Sequence, residues 1–413
     1  MDKISIKSLC WLYQIYYGGV ENRAYNMAAF LSRFANVEFL FARPFISDNT
    51  FQRFFPKKVK IRVHKIAPFL LKFADIEFLF ARPIYSNTSY QNKANLRYRP
   101  IQIYFNPYKV YRKDFWEDFF IKKATMYLNR EKQNIDLVIG HGLNAIPGIN
   151  VGLPTVTTMH GVDRWISNPP KLRKILLRKS NKIIAITKRV QSQLIEKGVD
   201  EKKISVIYNG VDFNDIDNTK LKSKDFLEKY GINPDKRIIL SVHNFNKVKN
   251  TMRIIQSFIN IKRGYDDYQL VFIGDGPEKR YYVNYIKRKK IKDVYFIGKL
   301  FKTDLYPFYK VADVFLMPSL RESWGIVFFE AMAAKCAVIL SKNCGVTEII
   351  ENNKDGIIVD PNSQPEIDNA LKTLIDDDEF KKQLGENGYK LARTLDWENQ
   401  GKILWKELQE FFN

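Results

Sequence analysis

The feature that most constrains this chain is a rhythm: short apolar runs end in a polar residue or a glycine, and helical spacing follows. IDLVIGHG (Ile135 to Gly142), PTVTTMHG (Pro154 to Gly161) and NKIIAIT (Asn181 to Thr187) are such runs. VQSQLIEKG then has helical spacing and a glycine stop, and KISVIYNGVD (Lys203 to Asp212) closes on an Asn-Gly turn. Runs that are apolar on both faces suit a parallel sheet covered by helices on each side. A polar stretch from about Asn214 to Lys236 precedes a second series: RIILSVH, YQLVFIGDG, DVYFIG, ADVFLMPS, CAVILS and DGIIVD. Two successive series predict an α/β protein of two Rossmann-like domains facing each other across a cleft. The expected domains are residues 1–220 and 221–395, with 396–413 a helix that packs back on the first. Trp397, Ile403, Leu404, Leu408 and Phe411 form the predicted apolar face of that helix.

Composition narrows the class. With 413 residues, 45% of them hydrophobic and 14% aromatic, the chain can bury a large core and is no disordered polar segment. Its three cysteines, Cys10, Cys336 and Cys344, have no CxxC spacing. That argues against a disulfide scaffold or structural zinc site and fits a reducing compartment, hence a cytoplasmic protein. No apolar run is long enough to span a bilayer. MDKISIKSLCWLYQIYYGG at the start reads as a buried strand entering a glycine loop, with a signal peptide as the competing reading.

The formal charge of +22 is uneven. Arg53 to Lys132 carries 18 Lys and Arg against 6 Asp and Glu, and Lys171 to Arg189 has 8 basic residues and no acidic one. A soluble basic surface and a patch facing acidic lipid headgroups both account for this, the second placing the protein at the inner face of a membrane. KVYRKDFWEDFFIKKATMYL (Lys109 to Leu128) could rest on such a surface or pack on its own sheet. No nucleic-acid recognition motif accompanies the charge, so nucleic acid is not an expected partner. Phe34 to Pro44 returns as Phe73 to Pro83, a local duplication too short for a solenoid.

Functional residues in open α/β sheets collect at the carboxyl ends of strands. Gly18-Gly19 precedes a helix start, where backbone amides can approach a phosphate; a plain glycine turn is the bland reading. His160 ends an apolar strand and could donate to a ligand hydroxyl or phosphate, or sit in a surface loop. Lys249 stands at a helix start, which disfavours a cation unless an anion is present. RESWGIVFFE (Arg321 to Glu330) places Glu322 in a loop and Glu330 inside an apolar helix. Sugar hydroxyls would satisfy such carboxylates, and so would a basic neighbour. The apolar residues between them supply no further oxygen ligands, so no metal is expected.

Taken in order, Glu322-x7-Glu330, VIYNGVD (Val206 to Asp212), FIGDGP (Phe272 to Pro277) and GVTE (Gly345 to Glu348) followed by GIIV resemble a large family of retaining glycosyltransferases. This is the GT-B family (group 1, family 4) that contains bacterial lipopolysaccharide, capsule and glycolipid transferases. The likeness is strongest from Asn181 to Pro361 and weak between Asn36 and Glu131. It implies a nucleotide-diphosphate sugar donor, UDP- or GDP-linked, a glycan or lipid-linked acceptor, and no cofactor or metal. Glu322 would contact the donor hexose and Glu330 the ribose hydroxyls. Gly18, Gly19, Lys249 and the helix start at Ser323, Trp324 and Gly325 would meet the diphosphate, and His160 the sugar. Members commonly carry Gly-Arg before the lysine; here His243 or Asn244 stands at the Arg position, and the usual Phe before Gly325 is Trp324. Loss of a permanent cation weakens a diphosphate clamp. A nucleotide-sugar epimerase of the same fold and a non-catalytic binding protein are the rival functions.

Overall fold

The computed structural model describes residues 5–11, 23, 26, 27, 30, 36–42, 97–100, 113–161, 170–221, 223, 225–300 and 302–412. Gly18, Gly19 and most of the duplicated segment lie outside the described residues. Residue contacts divide the chain into two units: 1–186 with 190–207 and 401–413, and 187–189 with 208–400.

The first unit holds a seven-stranded parallel sheet of order β3-β2-β1-β4-β5-β6-β7. Its strands are β1 (Ser5–Trp11), β2 (Asn36–Ala42), β3 (Arg97–Pro100), β4 (Leu137–His141), β5 (Thr155–Met159), β6 (Lys182–Ala185) and β7 (Ile204–Val206). Every residue of β4, β5 and β6 is buried, as continuous rather than alternating apolar runs demand. The helix Lys113–Glu131 turns Ile121, Ala124 and Leu128 inward, at three- and four-residue intervals, and Leu128 joins Ile135, Val138, Val151 and Leu153 in one cluster. That stripe is therefore engaged inside its own unit.

The second unit holds a six-stranded parallel sheet of order β10-β9-β8-β11-β12-β13. These strands are β8 (Arg237–Val242), β9 (Tyr268–Ile273), β10 (Val294–Gly298), β11 (Val314–Met317), β12 (Ala337–Ser341) and β13 (Ile357–Val359). Their core gathers Ile239, Leu270, Phe272, Leu316 and Ile339 with Ile254 and Phe258 of the helix Thr251–Ile261. Local signals set the helix boundaries. Ser363 accepts the N–H of Glu366 at the start of Gln364–Asp376, and Asp377 accepts that of Phe380 at the start of Asp378–Thr394. Each such cap stabilises its helix by about 1 kcal/mol.

The division falls at Ile207/Tyr208, ahead of residue 220. The stretch after Tyr208 belongs with the second unit because Val211 N–H donates to Leu395 O at 2.8 Å, and Gly210 lies against the Trp397 ring. A Cβ on Gly210 would come within 2.5 Å of that ring. The C-terminal helix Trp397–Leu408 is shared: its first turn groups with the second unit and Gly401 onward with the first. Leu404 and Leu408 are buried as expected, whereas Ile403 is 45% exposed, since it falls a quarter-turn off their line. Glu407 and Glu410 pair with Lys182 at 2.7 and 2.8 Å. One of the cations in the basic 171–189 stretch is thus an internal partner, not part of a surface patch. Among the described residues no helix is long and apolar enough to cross a membrane.

Candidate functional site

A ligand crevice opens in such a sheet at the carboxyl ends of two adjacent strands whose connections run in opposite directions. In the six-stranded sheet that place lies between β8 and β11, and in the seven-stranded sheet between β1 and β4. The predicted residues of the second unit collect at the former.

β8 leads into His243, whose Nδ1 pairs with Ser241 Oγ at 3.1 Å and whose Nε2 pairs with Thr251 Oγ1 at 2.9 Å. All three side chains are buried. Burial, with Lys249 nearby, lowers the imidazole pKa to about 3. His243 is therefore a neutral brace with both ring nitrogens engaged, and it does not replace an arginine's charge. Asn244 is exposed, so of the two residues at the Arg position it is the one with its side chain on the surface.

Asn250 follows Lys249 at φ +58°, in the left-handed region that glycine and asparagine tolerate best. Its amide donates to Pro318 O at 3.0 Å and Pro361 O at 2.8 Å, and Leu320 N–H donates to Val248 O at 2.8 Å. The lysine loop is thereby tied to the loop after β11, and Lys249 Nζ forms an ion pair with Glu322. The two side chains are 16% and 20% exposed, so solvent screens the pair only in part.

Glu322 O accepts the N–H of Gly345 at 2.9 Å. The GVTE motif needs its glycine because a Cβ there would lie 2.0 Å from Ser323 O. Ser323 is exposed, while Trp324 is buried with its ring stacked on Tyr208, centroids 4.9 Å apart and planes at 14°. Gly325, at φ +93°, turns the chain into the helix Ile326–Ala333.

Glu330 rides on that helix between Phe329 and Ala331, with 7% of its surface exposed. Among the described residues no cation forms an ion pair with it; Tyr309 Oη donates to Glu330 Oε2 at 2.8 Å. Burial raises the carboxyl pKa to about 7, against the pull of the Tyr309 hydrogen bond and Lys302 and with a small push from Asp212. Asp212, from the VIYNGVD motif, pairs with Lys302 and accepts from Tyr306 Oη at 3.1 Å.

In the first unit, His160 follows β5 and its Nε2 meets His141 Nδ1 at 2.9 Å. His141 ends β4, beside the strand-order reversal of that sheet. Burial lowers both imidazoles, His141 to about 3, and the charge of the buried Arg23 adds to the effect. His160 is thus one half of a neutral imidazole pair rather than a free side chain.

Sequence reasoning passed over His141, Arg23 and Tyr309, and took Asp212 only as the end of the VIYNGVD motif. His141 was accessible, since it closes the apolar run IDLVIGH at a strand end; Tyr309 carried no signal, being one aromatic of several in KTDLYPFYKV. Among the described residues no group of three or more His, Cys, Asp or Glu converges as a metal site.

The family described as "Glycosyltransferase Family 4" matches residues 17–215, and "Glycosyl transferases group 1" matches 222–391. N-acetyl-alpha-D-glucosaminyl L-malate synthase of Bacillus anthracis is 26% identical over 301 residues, covering 69% of this chain and 76% of the relative. Capsular polysaccharide biosynthesis glycosyltransferase CapM of Staphylococcus aureus is 28% identical over 252 residues, covering 59% of this chain and 64% of its own length. The crystal structure of Anabaena Alr3699/HepE in complex with UDP and glucose superposes with a TM-score of 0.71 at 17% identity, over 98% of this chain and all of that one. With both halves matched and the whole fold shared, this chain belongs to the group 1, family 4 glycosyltransferases of GT-B fold.

Proposed function

We propose that this enzyme moves a hexose or N-acetylhexosamine from a nucleotide-diphosphate sugar to a glycan or lipid-linked acceptor in cell-surface polysaccharide or glycolipid synthesis, retaining the anomeric configuration and using no metal. A UDP-linked donor is favoured over a GDP-linked one, because HepE of the same fold is described with UDP and glucose. The reading is carried by one observation. Lys249 and Glu322 pair at the carboxyl ends of the β8 and β11 reversal, and Glu330 lies buried on the helix that follows. Such a place offers a cation for a diphosphate and two carboxylates for hydroxyls.

In the reaction, the acceptor oxygen bonds to the anomeric carbon as the bond from that carbon to the diphosphate oxygen breaks. The hydroxyl proton leaves with the diphosphate. Lys249 and the amides at the start of Ile326–Ala333 neutralise the departing charge, which is preorganised electrostatic stabilisation. Glu322 and His160 are assigned the orientation of the sugar, and no residue is assigned as a nucleophile. The acceptor stays a class, because the relatives named above carry different descriptions, an N-acetyl-alpha-D-glucosaminyl L-malate synthase and a capsular polysaccharide biosynthesis glycosyltransferase.

Thermal stabilisation of the full chain by UDP, GDP, ADP, CMP and their sugars, with and without magnesium, tests the donor half of this reading. One diphosphate should raise Tm, independently of magnesium and in a Glu330-dependent way. Silence across the set would overturn it and leave a non-catalytic family member. Release of that diphosphate only when acceptor is present separates transfer from epimerisation.

A further inference from the structure

Glu330 has a single hydrogen-bond partner among the described residues, the Tyr309 hydroxyl, and that bond engages Oε2. Tyr309 is fully buried on the helix Lys302–Val311, and Phe315 of β11 packs on its ring with centroids 5.9 Å apart. A tyrosine has one proton to give, and with this ring buried Glu330 is where it goes. Among the described residues none donates to Oε1, and 7% of the residue remains exposed.

We infer that Tyr309 is a positioning residue of the donor site: it fixes the Glu330 carboxylate in one orientation, holds it in the acceptor state, and leaves Oε1 to receive a hydroxyl of the bound nucleotide. The inference rests on the placement of Glu330 in the donor site proposed above.

The groups that face Glu330 make the logic one of opposing forces. Burial favours the neutral acid and Asp212 adds slightly to it; the Tyr309 hydrogen bond and Lys302 favour the carboxylate. Lys302 is itself engaged by Asp212, and Tyr306 also donates to Asp212, so neither compensates for a missing tyrosine hydroxyl. Tyr309 cannot act as the acid, because burial and the adjacent Glu330 hold its own hydroxyl proton well above the usual range. A protonated Glu330 would present an O–H where the ligand hydroxyl needs an acceptor.

The test uses the full chain as wild type, Tyr309→Phe and Glu330→Gln, and reads two quantities. The first is the titration of Glu330 itself, followed without ligand by carbon NMR of δ-labelled glutamate, with the Gln variant assigning the resonance. The second is UDP affinity by calorimetry from about pH 5.5 to 9, a window that brackets the carboxyl range raised by burial. Wild-type affinity should climb as pH passes about 7 and then level off. In Tyr309→Phe both the resonance and the affinity midpoint should move to higher pH by about one unit, a loss of about tenfold in affinity below the midpoint that closes at high pH. A loss equal at every pH with an unmoved resonance would make Tyr309 a packing residue and overturn the inference. A moved resonance with UDP binding indifferent to Glu330→Gln would instead remove Glu330 from the donor site, and the positioning role with it.

Discussion

Two carboxylates eight residues apart are kept in place by opposite means. Glu322 lies in a loop, one-fifth exposed, and is matched by a full charge on Lys249. Glu330 lies in the interior, and its one direct partner among the described residues is the neutral hydroxyl of Tyr309. An ion pair partly open to water is screened in part by salt; a buried carboxylate with a neutral donor is insulated from salt and carries a larger desolvation cost. Salt should therefore probe one member of the pair and pH the other.

The largest expected effect separates function from stability at Glu330. A glutamate carboxyl in the unfolded chain has its ordinary pKa of about 4.5, and burial raises that of the folded Glu330 to about 7. Between those values the native state binds the extra proton, so stability falls as pH rises through the window and the full penalty stands above it. Glu330→Gln escapes that penalty while still accepting from Tyr309, and should gain up to about 3 kcal/mol above pH 7 and nothing near pH 4. The same change should cost about a hundredfold in UDP affinity, since a charged hydrogen-bond acceptor is lost. Urea unfolding at both pH values, beside calorimetry, checks the two halves together. A variant less stable at pH 8 would show that Glu330 is not desolvated in the free protein.

At Glu322 the expected losses are smaller and respond to salt. Lys249→Ala should lower UDP affinity about tenfold and stability by about 1 kcal/mol, both differences shrinking as salt is raised to about 1 M. Glu322→Gln should reduce turnover more than affinity. If Lys249→Ala losses are insensitive to salt, the pair is more enclosed than its exposure implies and the contrast with Glu330 weakens.

A third change adds charge instead of removing it. Asn244→Arg should raise UDP affinity by about three- to tenfold in low salt, because the side chain is exposed beside the lysine loop. His243→Arg should destabilise the fold by about 3 kcal/mol or more, since a guanidinium would displace a buried, doubly bonded imidazole. Tm and UDP affinity of the two variants, compared directly, show which position can carry the missing cation.

How far the sequence could be read depended on the kind of force involved. Continuous apolar runs marked most strands of both parallel sheets, because burial on two faces leaves a pattern in the chain itself; the edge strand β3, Arg97–Pro100, carries no such run. At Gly345 and Asn250 the structure adds the reason for the residue type, as backbone geometry restricts it there. What could not be read were partners distant in sequence. Glu322 offered a choice between hydroxyls and a cation, and only the tie between the 247–250 and 318–320 segments decides for Lys249. Tyr309, His141 and the Glu407 and Glu410 partners of Lys182 are the same case: short-range pattern carries no trace of which side chains a fold will bring within 3 Å.

The smallest effect concerns the residue between the two carboxylates. Trp324 is 3% exposed, and its indole N–H has no hydrogen-bond partner among the described residues. Leaving that donor unsatisfied costs about 1–3 kcal/mol, while its stack on Tyr208 returns about 0.5–1.5 kcal/mol. Trp324→Phe removes the orphan donor, keeps a ring against Tyr208 and opens a small void. These terms nearly cancel, so stability should stay within about 1 kcal/mol of wild type and turnover within about threefold. A larger fall in turnover at unchanged Tm would mean that the indole N–H donates to the bound substrate. The loop would then contribute a neutral donor beside the charged Glu322, and the division between a charge-matched loop and a hydroxyl-matched helix would no longer be clean.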